Sequence, residues 1–149
     1  MRIGIMLQSV SHLGGIGIYT QQIVKHLLML GKKNEYVLLY PPFVQAYKSL
    51  GQYKEYGNVI EVLSKSLVPH NHYWDHFVVP RISSKYDIDI IFNPFLSIPL
   101  VGNFKKVLVM QNSEWFTMPE VFWFIERLTG GLRMKAMMRA ADRVISISN

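Results

Sequence analysis

The chain has 149 residues, 50% of them hydrophobic and 17% charged, with 8 Phe, 8 Tyr, 3 Trp and 8 Met. That excludes a disordered chain and bounds the reading to one domain with a well-filled core. The 16 Lys and Arg against 10 Asp and Glu leave +6, a charge that favours nucleotide phosphates, nucleic acid or an acidic membrane surface without choosing among them, and the absence of cysteine excludes disulfides and thiolate chemistry.

Ile3-Gly4-Ile5-Met6-Leu7 is a near-continuous apolar run, the pattern of a strand covered on both faces. It is too short for a signal peptide. A polar connection, Gln8-Ser9-Val10-Ser11-His12-Leu13, leads to Gly14-Gly15-Ile16-Gly17-Ile18-Tyr19-Thr20. From there Ile16, Thr20, Ile23, Val24, Leu27 and Leu30 recur at helical spacing, with Gly31 as the stop and Lys32 and Lys33 beyond it. A strand, a glycine turn and a helix in that order form an anion-binding device. The turn admits a ligand to the backbone, and the helix start supplies unpaired N–H groups and the positive end of the dipole.

Tyr36-Val37-Leu38-Leu39-Tyr40 is a second buried strand, stopped by Pro41-Pro42. Residues 44–50 carry a weak helical pattern closed by Gly51, and 58–63 a third strand. Residues 73–84 read as a helix with Trp74, Phe77, Val78 and Ile82 near one face and Pro80 as a break. Asp89-Ile90-Ile91-Phe92 and Val107-Leu108-Val109-Met110 are the fourth and fifth strands, ending at Asn93-Pro94 and Gln111-Asn112. A helical region over 119–141 follows, bent at Gly130-Gly131, with Pro119 suited to a first turn, and Arg143-Val144-Ile145-Ser146-Ile147-Ser148 is the sixth strand. The apolar stretch 88–101 is broken by Asp89, Asn93, Pro94 and Pro99, short of the roughly 20 residues of a membrane span.

This alternation predicts an α/β fold: a Rossmann-like open, mostly parallel sheet with helices on both faces, in three layers. Ligands of such sheets bind beyond the carboxyl ends of the strands, near the point where strand order reverses. The loops 8–17, 41–43, 93–95 and 111–115 are expected on that rim.

The glycine turn is not a dinucleotide fingerprint. Thr20 stands where the third glycine of G-x-G-x-x-G belongs, and Tyr40-Pro41-Pro42 offers no carboxylate for a ribose. The Gly-Lys-Ser/Thr of a Walker A loop is absent too. Two readings stand from the residues alone: an anion cradle, or glycines that only turn the chain.

Several marks in order carry a resemblance. They are Met1-Arg2-Ile3-Gly4-Ile5 followed by the glycine stretch, Pro80 with Lys85-Tyr86-Asp87-Ile88-Asp89-Ile90-Ile91-Phe92-Asn93-Pro94, and Ala141-Asp142-Arg143-Val144-Ile145-Ser146-Ile147-Ser148. With them the whole chain resembles the N-terminal domain of the GT-B glycosyltransferases, the large retaining family four (glycosyl transferases group 1). The resemblance implies transfer of a sugar from a nucleotide-diphosphate donor to a glycan or glycolipid acceptor with retention, without a metal or other cofactor. Residues 1–149 would be the acceptor-side domain, with the donor-binding C-terminal domain outside this chain, which alone would be inactive. Gly14, Gly15, Ile16 and Gly17 would cover the donor diphosphate, their backbone N–H groups stabilising charge on the departing phosphate. The candidates for acceptor contact are His12, Asn93, Gln111, Asn112 and Glu114. Many members of that family carry a histidine at the end of the fifth strand, where this chain has Gln111-Asn112, and an amide cannot take a proton. The alternative is a non-catalytic sugar- or nucleotide-binding or scaffolding domain of the same fold.

Two weaker patterns remain. His70, His72 and His76 lie close together, but Asp75 points away from a shared metal site, so no metal ligands are assigned. Phe122-Trp123-Phe124 with Arg127, Arg133, Lys135 and Arg139 suits either an anionic membrane surface or ordinary packing, and Met134, Met137 and Met138 favour core. No nucleic-acid-binding module is present. The expectation is a cytoplasmic domain, with peripheral contact at the inner face of the membrane as an open option.

Overall fold

The computed structural model describes residues 1–42, 50–65, 71–111, 118, 120 and 123–147. Among these residues six strands form one sheet: β1 (Arg2–Met6), β2 (Glu35–Tyr40), β3 (Val59–Leu63), β4 (Ile90–Asn93), β5 (Lys105–Met110) and β6 (Arg143–Ser146). Their order is β3-β2-β1-β4-β5-β6, and every neighbouring pair is parallel. β1 lies in the middle, with Ile3 opposite Tyr36 on one side and Ile90 on the other. The chain winds from β1 to one edge and then to the other, so strand order reverses between β1 and β4. This is the Rossmann-like arrangement expected from the alternation of elements.

Among the described residues three helices cover the sheet: α1 (Gly15–Leu30), α2 (residues 71–85) and α3 (Phe124–Ala140). Because side chains alternate along a strand, Ile5, Leu38, Tyr40 and Phe92 point to one face, where Val24 and Leu28 of α1 bury them. Met6, Val37, Leu39, Ile91 and Leu108 point to the other, against Trp74 and Val79 of α2 and Met134 and Met137 of α3. The three-layer reading therefore stands, and so does the assignment of these methionines to the core. Trp74 is fully buried, and its indole N–H donates to Ser64 Oγ at 2.8 Å. Truncating a side chain of that size in a core costs about 3–5 kcal/mol. α1 stops at Gly31, where the Leu27 carbonyl accepts both the Gly31 N–H and the Tyr36 hydroxyl.

Pro80 does not break α2. In an α-helix the proline ring collides with the carbonyl four residues back and supplies no N–H. Here Asn71–Tyr73 continues into the wider π winding of Trp74–Val78, with Val79 N–H reaching Trp74 O, before Val79–Lys85 resumes the α form. The wide turn absorbs the misfit just ahead of the proline. α3 likewise runs uninterrupted through Gly130-Gly131. The helical pattern over 44–49, and residues 119, 121 and 122, lie outside the described residues. Among the described residues no helix is long and apolar enough to cross a membrane.

Candidate functional site

The connection from β1 to α1 is held by its own side chains. Ser9 and Thr20, both buried, share a hydroxyl–hydroxyl bond of 2.8 Å, and Thr20 Oγ1 donates onward to Ile16 O at 2.9 Å. Gln21 Nε2 donates to Val10 O at 2.8 Å. Gly17 completes the seat: a Cβ there would stand 1.9 Å from His12 O, so only glycine lets the loop backbone lie on the helix. Gly14, at φ +108°, makes the turn into α1.

The helix start is open. No side chain caps it, its first turn holds no acid, and Gly14, Gly15 and Ile16 are exposed. The N–H groups of Gly15, Ile16 and Gly17 belong to the first turn, which has no carbonyl four residues back, so their partners must come from outside the helix. A side chain at Gly15 would meet open space. The four residues read as a diphosphate loop thus divide: Gly14, Gly15 and Ile16 face outward, whereas Gly17 is buried.

Beside this loop, at the point of reversal, polar side chains from four segments interlock. Gln8 Oε1 accepts from Asn93 Nδ2 at 3.0 Å and lies 3.2 Å from Ser97 Oγ, while Gln8 Nε2 donates to the Asp75 carboxylate. Asn93 Nδ2 also donates to Ser97 O at 2.5 Å, and its Oδ1 accepts the Phe95 N–H at 2.9 Å. Asp75, on the π turn, is 1% exposed. Burial pushes its pKa up to about 7, opposed by hydrogen bonds from Ser97 and Gln8 and by the charge of Arg133. A carboxyl group that changes protonation near neutrality, held by an amide and a hydroxyl under a rim loop, is a frequent property of functional sites.

The residues proposed for acceptor contact are only partly brought together. His12 is exposed on the rim, its ring 6.3 Å from that of Phe95. Asn93 is fully buried, with its amide engaged in the network, so it positions the loop rather than facing a ligand. Gln111 Nε2 donates to Pro94 O at 2.6 Å, tying the end of β5 to the β4 loop. Asn112 and Glu114 lie outside the described residues. The reading from sequence missed Gln8, Ser97 and Asp75. The last had one signal: a lone carboxylate in the apolar and aromatic stretch Tyr73-Trp74-Asp75-His76-Phe77-Val78. Among the described residues no three His, Asp or Glu side chains converge on a metal position.

Two surface depressions lie at the opposite, amino-terminal end of the sheet. One, of 610 Å³, is lined by Asp87, Asp89, Lys105, Lys106 and Asp142, and the other, of 480 Å³, by Leu28, Lys32, Glu55 and Tyr56. Several of its charged side chains are engaged with one another or with the strand ends: Asp142 holds Lys105 Nζ and the Lys106 N–H, and Asp89 holds the Arg2 N–H. Neither adjoins the open helix start or the buried carboxylate. The chain matches no family model, no curated protein and no solved structure.

Proposed function

We propose that this chain is the acceptor-side domain of a GT-B retaining glycosyltransferase that transfers sugar from a nucleotide diphosphate to a glycan or glycolipid. The observation that carries the reading is the uncapped start of α1 at the reversal point, held rigid by Gly17 and Thr20 yet open at Gly15. Preformed N–H donors of this kind stabilise charge that grows on a departing phosphate without reorganising. The donor nucleotide and sugar would be held by a second α/β domain. His12 and Phe95 flank the same rim and would meet the acceptor.

The test separates chemistry from folding. In the complete protein, Gly15→Val should leave the circular dichroism spectrum and thermal midpoint near those of the parent, because its side chain enters open space. Its side chain would fill the approach to the helix start while leaving the N–H groups in place, and should lower sugar transfer by about a hundredfold, comparable with the loss of one contact to a developing oxyanion. Transfer unchanged by that substitution would remove the diphosphate role from the loop. The coding sequence beyond Asn149 offers a second check, since the reading requires a further domain of about 150–200 residues.

A second reading is a binding domain that keeps the fold without catalysis. It is favoured by Gln111, whose amide is committed to Pro94 O at a position where the resembled family often has a titratable histidine. A complete protein that binds nucleotide sugars but transfers none would decide for it.

A further inference from the structure

The polar network under the rim is oriented from one end. Backbone groups fix the Asn93 side chain on both sides: its Oδ1 accepts the Phe95 N–H, and its Nδ2 donates to Ser97 O. The same Nδ2 faces Gln8, which answers with Oε1 at 3.0 Å, and this turns Gln8 Nε2 toward the carboxyl group of Asp75. Gln8 therefore only donates to Asp75. The other partner, the Ser97 hydroxyl, can turn. Its oxygen lies 3.2 Å from Gln8 Oε1, and it also bonds Asp75. A hydroxyl has one proton, so it serves one of these acceptors at a time.

This cage suits a carboxylic acid better than a carboxylate. With its proton on, Asp75 donates to Ser97 Oγ, the Ser97 hydroxyl donates to Gln8 Oε1, and Gln8 Nε2 donates to Asp75 Oδ1, so every group is matched. With the proton off, about four lone-pair positions meet two side-chain donors, Gln8 and Ser97. At 1% exposure the carboxylate is shut off from bulk water. Among the described residues the charged and titratable neighbours are Arg133 on α3 and His72 and His76 on α2, while Gln8, Asn93 and Ser97, from the β1 and β4 sides, are neutral. Burial outweighs the charge of Arg133 in setting the Asp75 pKa.

Hydrating the charged form requires one wall of the cage to give way, and the walls are unequal. Asp75 stands beside the fully buried Trp74, and Gln8 between the buried Leu7 and Ser9. Phe95, Leu96 and Ser97 are only half-buried, set between the buried Pro94 and Ile98. These three residues form the wall with the least burial to lose.

We propose that Asp75 is a proton-operated latch on residues 95–97. Holding its proton, it keeps the segment seated on Gln8; without it, the segment swings out and admits water to the carboxylate. Opening carries Phe95 away from His12, whose ring it faces at 6.3 Å across the rim. With the segment open Asp75 returns to its ordinary 3.8, so opening releases a proton and becomes easier as pH rises, levelling off above about 7. That the latch shapes a wall met by the acceptor rests on the glycosyltransferase reading above; the latch itself does not.

Amide hydrogen exchange of the full chain, followed residue by residue by NMR and corrected for the intrinsic effect of pH, tests the latch. From pH 6 to pH 8 the protection of the Phe95 and Ser97 amides should fall about tenfold, equally with and without denaturant below the unfolding transition. The Leu38 amide, buried in β2, should exchange far more slowly and respond to denaturant. Asp75→Asn cannot gain or lose the proton and should show no such fall, which assigns the fall to this carboxyl group rather than to His72 or His76. Ser97→Ala takes one donor from the charged form, so the fall should continue to higher pH before it levels. Protection at Phe95 and Ser97 that is constant with pH, that falls as much in Asp75→Asn, or that falls only under denaturant together with Leu38 would overturn the latch. In the complete protein, an acceptor KM that rises over the same range in the parent but not in Asp75→Asn ties the latch to sugar transfer. A latch that works in a complete protein transferring no sugar keeps this inference and removes the glycosyltransferase reading. Sugar transfer with constant protection does the reverse.

Discussion

The two ends of the sheet handle polar groups in opposite ways. At the amino-terminal end, charges pair on the surface: Arg2 with Glu35 at 2.7 Å, and Lys105 with Asp142 at 2.9 Å. Water already solvates these groups, so joining them adds little. At the carboxyl end Asp75 and Asn93 are buried and interlock with the half-buried Gln8 and Ser97. There each unmade bond carries the full desolvation cost of its partner. The difference teaches where a change will matter: a depression as large as 610 Å³ lies at the end where the pairs are solvated and weak.

Three substitutions can break or sharpen that contrast. The largest effect is expected from Gly17→Val at the carboxyl end, where the new side chain meets His12 O. The loop must leave α1, and chemical denaturation should record a loss of about 4 kcal/mol or more. A loss below about 1 kcal/mol would show that the loop is not seated as described.

Asp75→Asn should follow. The folded-state pKa of Asp75, about 7, lies above its ordinary 3.8, so the folded chain holds the extra proton between these values. Its stabilising contribution is full below about pH 4 and is lost as pH rises through 7, a span worth up to about 4 kcal/mol. Asparagine, neutral throughout, should lack this decline, so the difference in denaturation midpoint between variant and parent should grow in the variant's favour from pH 4 to pH 8. Parallel curves would place the carboxyl group in contact with water. The smallest effect is expected at the amino-terminal end, where Glu35→Gln should cost about 0.5 kcal/mol and less in high salt. A cost above 2 kcal/mol would erase the contrast between the ends.

Most of the fold was legible because a buried parallel strand leaves a plain trace. Runs such as Ile3-Gly4-Ile5-Met6-Leu7 and Tyr36-Val37-Leu38-Leu39-Tyr40 are apolar on both faces, and glycine or proline punctuates them. The helix over 16–30 was legible for the complementary reason, its period of apolar residues. Pro80 misled because local rules treat proline within a helix as a stop, whereas the π turn that accommodates it is held by Trp74 in the core. The candidate site was half legible. Gly14, Gly15 and Ile16 are contiguous in sequence and contiguous in space. Asp75 and Ser97 stand 67 and 89 residues from Gln8 along the chain, and only the reversal between β1 and β4 brings them together. The place of Gly17 in the glycine stretch suggests a contact to a diphosphate, yet its observed duty is to let one backbone lie on another.

The central place of β1 has a consequence for how the chain is made. Its partners are β2, which follows within one helix, and β4, immediately before which Asp89 accepts the Arg2 N–H from 87 residues further on. During synthesis β1, α1 and β2 leave the ribosome as a unit with one side of β1 bare, and that side stays bare until β4 emerges. An apolar strand with an unpaired edge is the feature that invites mispairing with other chains. At 5–20 residues per second the exposure lasts for several seconds, which makes the nascent chain a natural client for a chaperone.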